Sequence, residues 1–366
     1  MAKNDNFPKR IELALKKRLD RYASLGLTPE IISQPENIFK LKKDCKILLL
    51  RQDRIGDVLV SVPAIRALRN NFPDAKIDIL FSRRNKGVSN AVKKYINKIW
   101  IYAPDIFSTW SLISAVKKEG YDLVVDMYDN ASTTSSLLIK FFKIPMALGF
   151  DKENRTSYTH AIPPPDKKSV HIVERIANLL LPFGIHPGNV DLSLEYPISE
   201  DEKTKAQAKM GAKTKPVRLG INLSGSSKSK FWGKENYILF IKELLSRHNN
   251  VEVFIFTTLI FSGLAKDICK KSGAFLAPIA NKIHEYALLL STCDLILTPD
   301  TAAVHFAAAM NKPCLALYLW ENKESPMPWF PYKSPYKALI AEGNNLSDIN
   351  VEDAVLAFEE LLHSGK

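Results

Sequence analysis

The sequence is short of cysteine, short of glycine, and without a long apolar run. Cys45, Cys269, Cys293 and Cys314 lie far apart and form no CxxC, which fits reduced thiols rather than a disulfide framework or a zinc site. No stretch reaches the ~18 apolar residues of a membrane span, and MAKNDNFPKR lacks the apolar segment of a secretory signal. A cytosolic chain is therefore expected. Short catalytic signatures are missing as well: no GxGxxG follows a strand, GINLSGSS has GxxxxG spacing without the Gly-Lys of a P-loop, and HExxH and GxSxG do not occur. The lack of any Asp-x-Asp argues against a metal-bridged pyrophosphate, so a site with no metal and no cofactor is the expectation.

What is present describes a globular protein. Hydrophobic residues make up 46% and charged residues 25%, which sets aside disordered and fibrous classes. The 366 residues suit two domains of roughly 150 residues each. The formal charge of +12 is unevenly placed: residues 1–100 hold 22 Lys and Arg against 10 Asp and Glu, while residues 101–366 hold 29 of each. Such a basic region fits an acidic partner, whether nucleic acid, an anionic membrane surface or a phosphorylated substrate, and equally fits solubility alone. No aromatic-basic platform or nucleic-acid motif accompanies it, which argues against nucleic acid.

Residues 8–25 place Ile11, Leu15, Leu19 and Tyr22 on one helical stripe among Lys and Arg. This basic amphipathic helix suits either an anionic lipid surface or packing on a domain core. From Lys46, apolar strands alternate with helical segments: KILLLR, KIDILF, KIWIY and YDLVVDM, then a helix over 170–183. The alternation restarts at VRLGINL and runs through VEVFIFT, DLILTP and PCLALYL. Repeated βα units predict parallel sheets covered by helices, hence an α/β chain of two Rossmann-like domains whose ligands bind at the carboxyl ends of the strands. The expected division is a basic extension at 1–43, a first domain at 44–186, a connection at 187–216, a second domain at 217–345 and a C-terminal helix at 346–366.

Four constellations fall at strand-to-helix turns. In Arg51-Gln-Asp-Arg-Ile-Gly-Asp57, Asp57 is placed to take a proton from a substrate hydroxyl, or simply to cap its helix. In Ser224-Gly-Ser-Ser-Lys-Ser-Lys230, small hydroxyl residues and lysines offer what a phosphate needs, although an exposed basic loop reads the same way. In Pro299-Asp-Thr-Ala-Ala-Val-His305, a helix N-terminus offers amides to a diphosphate and Asp300 offers a carboxylate to sugar hydroxyls; the alternative is a capped helix with a half-buried histidine. Asp126, Asp129 and Asn130 fit either a polyhydroxylated acceptor or a turn.

Taken in order, these segments resemble the ADP-heptose:lipopolysaccharide heptosyltransferases, the family 9 glycosyltransferases. The carriers are KILLLRQDRIGDVLVSVPAIRALRNNFPDAKIDIL, YDLVVDMYDN with the later LGFD, HIVERIANLLLPFGI, GINLSGSSKSKFWGKENY and DLILTPDTAAVHFAAAMNKPCLALY. The resemblance implies a GT-B type fold, two Rossmann-like domains facing a cleft, and inverting, metal-independent transfer of a sugar from a nucleotide sugar. It implies Asp57 as general base. It implies a donor site of Ser226, Ser227, Lys230, Asp300, Thr301, Ala302, Ala303 and His305. For a lipopolysaccharide-core or other acidic glycolipid acceptor the candidates are Arg51, Arg54, Arg83, Arg84, Asp129 and Asn130, with Lys86 as a further cation. It implies work at the inner face of the cytoplasmic membrane. The chain departs from the family pattern in three places: Ala302 replaces the usual Gly of Asp-Thr-Gly, Thr257 to Phe261 replaces a Gly and an acidic residue, and Leu319-Trp320 stands for a Phe-Gly pair. The second departure motivates an alternative, a related transferase with another nucleotide sugar or with an acceptor in a capsule or other surface glycan.

Overall fold

The computed structural model describes residues 28–223, 225, 227–320 and 326–364. The amphipathic segment at 8–25 and the donor candidate Ser226 lie outside the described residues. Two compact units divide the chain. One holds the chain up to Asp166 together with Ile172–Leu192, and the other holds Lys167–His171 and everything from Ser193 on.

The first unit is built on a seven-stranded sheet. Its strands are β1 (Glu30–Ile31), β2 (Lys46–Leu50), β3 (Lys76–Ser82), β4 (Lys98–Tyr102), β5 (Leu123–Asp126), β6 (Met146–Phe150) and β7 (His160–Ile162), in the order β1-β7-β6-β5-β2-β3-β4. Every pairing is parallel. The helices are α1 (Ile55–Asn71), α2 (Ile106–Glu119), α3 (Thr133–Phe142) and α4 (Ile172–Ala177). The strands read as continuous apolar runs because both faces are covered. Leu48, Leu50 and Val124 pack with Leu112, Ile113 and Val116 of α2 and Leu138 and Ile139 of α3. Leu49 and Val125, one residue out of phase, face Ala64, Ile65 and Leu68 of α1 and Ile176 of α4.

The second unit repeats the plan on six parallel strands. These are β8 (Val217–Asn222), β9 (Val251–Phe256), β10 (Phe275–Leu276), β11 (Leu295–Pro299), β12 (Cys314–Leu319) and β13 (Tyr336–Ala341), in the order β10-β9-β8-β11-β12-β13. Its helices are α5 (Glu200–Met210), α6 (Lys234–Arg247), α7 (Ser262–Ser272), α8 (Ile283–Ser291), α9 (Ala302–Ala309) and α10 (Val351–Ser364). One face of the sheet packs on α6, α7 and α10 through Phe240, Ile268 and Phe358. Tyr286 of α8 lies edge-on between Phe256 of β9 and Phe306 of α9.

Three expectations shift. β1 pairs Glu30 with His160 and Ile31 with Ala161, so the first sheet takes in residues N-terminal to the expected boundary at 43. The stretch 187–216 is divided between the units, because α5, capped by a reciprocal Ser199–Glu202 box, belongs with the second. The helix at 170–183 begins as α4 and tightens into a 3-10 turn at Asn178–Phe183, where Pro182 cannot donate to an α-helical ladder. Among the described residues no helix is long and apolar enough to cross a membrane.

Gly149 and Tyr158 approach closely inside the first unit. A Cβ there would lie 2.4–2.8 Å from three ring atoms of Tyr158, which is fully buried and donates its hydroxyl to Asp126. Gly149→Ala is expected to cost about 1–3 kcal/mol as an overpacked core. A lower urea midpoint at unchanged slope is the result that checks it.

Candidate active site

Both sheets change direction at one place. In the first unit the chain runs from β2 outward through β3 and β4, then crosses back so that β5 lies on the other side of β2. In the second it starts at β8, builds through β9 and β10, and returns so that β11 lies beside β8. At such a crossover the neighbouring loops leave in opposite directions and open a crevice at the strands' carboxyl ends. The described candidate residues fall on the four loops that leave these two crossovers or in the first turns of the helices that follow, apart from Arg83 and Arg84, which follow β3.

In the first unit the organising group is Arg51, fully buried just beyond β2. Its Nε donates to the Asp57 carbonyl at 2.8 Å, and its Nη1 donates to the Met127 carbonyl at 2.6 Å and to Asp53 Oδ2 at 3.1 Å. The guanidinium thus ties the turn after β2 to the segment after β5. Asp57 sits in the first turn of α1. Its Oδ2 accepts from the Arg54 amide at 3.2 Å, and its Oδ1 lies 3.7 Å from Arg51 Nη2. Asp57 therefore caps its helix with one oxygen and turns the other toward the guanidinium.

Arg51 Nη2, Gln52 Oε1 and Asp53 Oδ1 are buried and accept or donate no hydrogen bond among the described residues. Burial pushes the Asp53 carboxyl up to about 7, with Arg51 opposing the rise and Asp57 adding to it.

The remaining first-unit candidates separate. Asp129 is bound bidentately by Arg175 of α4, at 3.2 and 3.1 Å, in a buried pair. That is a structural tie rather than a side chain held out to an acceptor. Asn130, Arg54, Arg83 and Arg84 are exposed, and Arg83 lies 3.9 Å from Asp105. Arg51, grouped with them as an acceptor-facing cation, is instead interior. Two residues that sequence reasoning passed over join the site: Gln52 donates to Ser135 at 3.0 Å, and Lys152 places its ammonium 3.3 Å from Asp126. Burial lowers the Lys152 pKa against the pull of Asp126. The Lys152 signal lay in LGFDK, beside a motif already singled out.

In the second unit the turn after β8 folds back on itself. A Cβ on Gly225 would lie 2.3 Å from the Lys230 carbonyl, so only glycine fits. Lys230 forms an ion pair with Asp300, seventy positions along the chain, and both side chains remain partly exposed. Asn222, at the end of β8, donates to Thr298 at 3.0 Å and to Thr301 at 3.2 Å. Thr301 is the N-cap of α9 and accepts from the Ala303 amide at 3.2 Å. That amide, expected to face a diphosphate, is thus occupied by the cap. Ala302 begins α9 with no left-handed backbone that would call for glycine. Ser227 is exposed and bonds Ser229 at 2.8 Å. His305 is buried one turn into α9, with its ring 6.0 Å from that of Trp329.

Two parallel α/β units, each with a polar site at its crossover, are the construction of a GT-B glycosyltransferase. Comparison with known proteins gives the family. The sequence profile of glycosyltransferase family 9 (heptosyltransferase) matches residues 109–355, and the chain belongs to that family. The chain is similar to lipopolysaccharide heptosyltransferase 3 of Escherichia coli, at 26% identity over 336 residues covering 84% of this chain and 95% of the relative. Its fold is similar to a family 9 glycosyl transferase from Veillonella parvula, with a TM-score of 0.74 and 19% identity over 88% of this chain and 99% of the other. It is also similar to the E. coli ADP-heptose lps heptosyltransferase II, with a TM-score of 0.70 and 20% identity over 87% and 99%.

The raised pKa of Asp53 has a consequence for stability. An unfolded aspartate loses its proton near ~3.9, whereas Asp53 keeps it in the folded state until about 7. Its contribution is therefore complete below the unfolded value and is lost as pH rises through 7. Thermal midpoints between pH 5 and 8 are expected to fall more steeply for the native protein than for Asp53→Asn. Parallel slopes would show that Asp53 does not titrate there.

Proposed function

We propose that the chain transfers heptose from ADP-heptose to an inner-core sugar of a lipopolysaccharide acceptor, with inversion at the anomeric carbon and without a metal ion. The observation that carries this reading is the division of chemistry between the two crossovers: a carboxylate for deprotonation in one, and a cation, a carboxylate and a helix N-terminus for a charged donor in the other. The names of the relatives, lipopolysaccharide heptosyltransferase and ADP-heptose lps heptosyltransferase, supply donor and acceptor class. The missing Asp-x-Asp supports a metal-free reaction.

Asp57 takes the proton of the acceptor hydroxyl as its oxygen attacks the anomeric carbon. The bond from that carbon to the diphosphate oxygen breaks on the opposite face. ADP departs with its new charge met by Lys230 and the N-terminal end of α9, so no general acid is required. Asp300 exchanges its pairing with Lys230 for the donor sugar's hydroxyls, leaving the ammonium to the phosphates. Arg51 holds Asp57 in place through the helix backbone. This reading puts the enzyme at the inner face of the cytoplasmic membrane, where such an acceptor lies.

The turn after β9 favours keeping a second reading. Leu259, Ile260 and Phe261 stand exposed there, with no acidic side chain among residues 257–261 to grip a ribose. A different nucleotide sugar, or an acceptor in a capsule or other surface glycan, fits that surface.

Release of ADP from ADP-heptose in the presence of a Kdo-lipid A or heptosylated acceptor, with EDTA added, tests donor, acceptor and metal together. Acceptor-dependent release is expected. No release from folded protein would turn attention to other nucleotide sugars. Asp57→Asn is expected to lower kcat by ~10²–10⁴ while leaving ADP-heptose affinity within about twofold. Lys230→Ala is expected to do the reverse in binding, weakening ADP affinity by roughly tenfold or more through the loss of a charge-assisted contact. Calorimetric titration of both variants separates the two roles.

A further inference from the structure

The helix α2 opens with apolar residues that the fold leaves uncovered. Ile106 is 73% exposed, Phe107 89% and Trp110 57%, whereas Leu112, Ile113 and Val116 further along the same helix are buried in the core. The exposed three share the first turns, where positions three and four apart lie side by side. They are rigidly presented. Asp105 caps the helix by accepting from the Ser108 amide at 2.8 Å, Thr109 bonds the Ala103 carbonyl at 3.0 Å, and the Trp110 indole leans on Phe141 with centroids 5.7 Å apart.

Basic side chains lie beside this apolar turn. β3 and β4 run parallel with Ser82 opposite Tyr102, so Arg83, Arg84 and Lys86 leave the sheet at the edge from which α2 departs. All three are exposed, and Arg83 reaches to 3.9 Å from Asp105 at the helix start. The same carboxyl edge carries Asp57 beyond β2.

We propose that the first turns of α2, with the Arg83–Lys86 loop, form a docking surface for an anionic lipid bilayer, with Ile106, Phe107 and Trp110 entering the interface and the cations meeting lipid phosphates. An aromatic-apolar cap flanked by cations is what such an interface binds, and positive charge beside exposed apolar side chains distinguishes it from a surface for an acidic protein, which would leave the apolar cap unused. The position gives the docking a purpose that rests on the function proposed above: it brings the carboxyl edge bearing Asp57 to the membrane that holds the acceptor. The docking itself needs no acceptor and is tested without one.

The test is co-sedimentation of the full chain with vesicles of phosphatidylcholine alone or with a third phosphatidylglycerol, at low and physiological salt, for the native protein and for Phe107→Ser with Trp110→Ser. Both residues are more than half exposed, so the variant is expected to keep its melting temperature and its ADP affinity, which also keeps this test apart from failure of the proposed activity. The expected result is binding to the anionic vesicles, weakened by added salt, and reduced about tenfold or more in the variant. A reduction of less than about threefold, or equal binding to both vesicle types, would overturn the proposal. So would self-association in sedimentation velocity that the double substitution abolishes, since it would give this face to a second copy of the chain.

Discussion

Parallel strands send all their carboxyl ends to one edge, and a chain that builds a sheet first to one side and then to the other must leave a crevice where it turns back. This constraint operates twice here, between β2 and β5 and between β8 and β11. It explains why motifs separated by seventy or more residues form two sites rather than four: the turn after β2 meets the segment after β5, and the turn after β8 meets the start of α9. Each crossover is then stitched by buried polar side chains, with Gln52 to Ser135 among the ties of the first. Arg51 spans the first by bonding the Met127 carbonyl, and Asn222 spans the second by bonding Thr298 and Thr301.

The two stitches differ in consequence. Asn222 is neutral, and its amide bonds Thr301, the cap of α9. Arg51 is a buried cation, and a buried charge must be met by partners. Asp53, Asp57 and two carbonyls meet it, yet atoms of Arg51, Gln52 and Asp53 remain unmatched. Burial raises the pKa of Asp53, and the neighbouring carboxylate of Asp57 adds to the rise, since a second carboxylate there is easier to bury with its proton than without it.

Much of the layout was legible in the sequence. Strand runs such as KILLL and LVVD are nearly all apolar because both faces are covered, and their alternation with helical segments announced the βα units. Asp57, Lys230 and Asp300 were legible as candidates because each stands in a strand-to-helix turn. Other readings were out of reach. Nothing in the order of residues shows that Asp129 would be claimed by Arg175, that Arg51 would turn inward, or that His305 would be buried beside Trp329. The short strand β1 was also invisible, since two residues carry no period and their pairing partner lies far along the chain.

The sequence by itself determined the alternation of strand and helix, the positions of the turns that bear chemistry and the concentration of positive charge in the first hundred residues. These are local properties, set by apolar periodicity, by backbone-permissive residues such as Gly225 and by composition. Only the tertiary structure decided which side chains are partners, which carboxylates are available and which apolar residues are left uncovered on α2. Burial and pairing depend on contacts between segments far apart in the chain, and a carboxylate or an arginine has the same sequence whether a neighbour folds over it or water does.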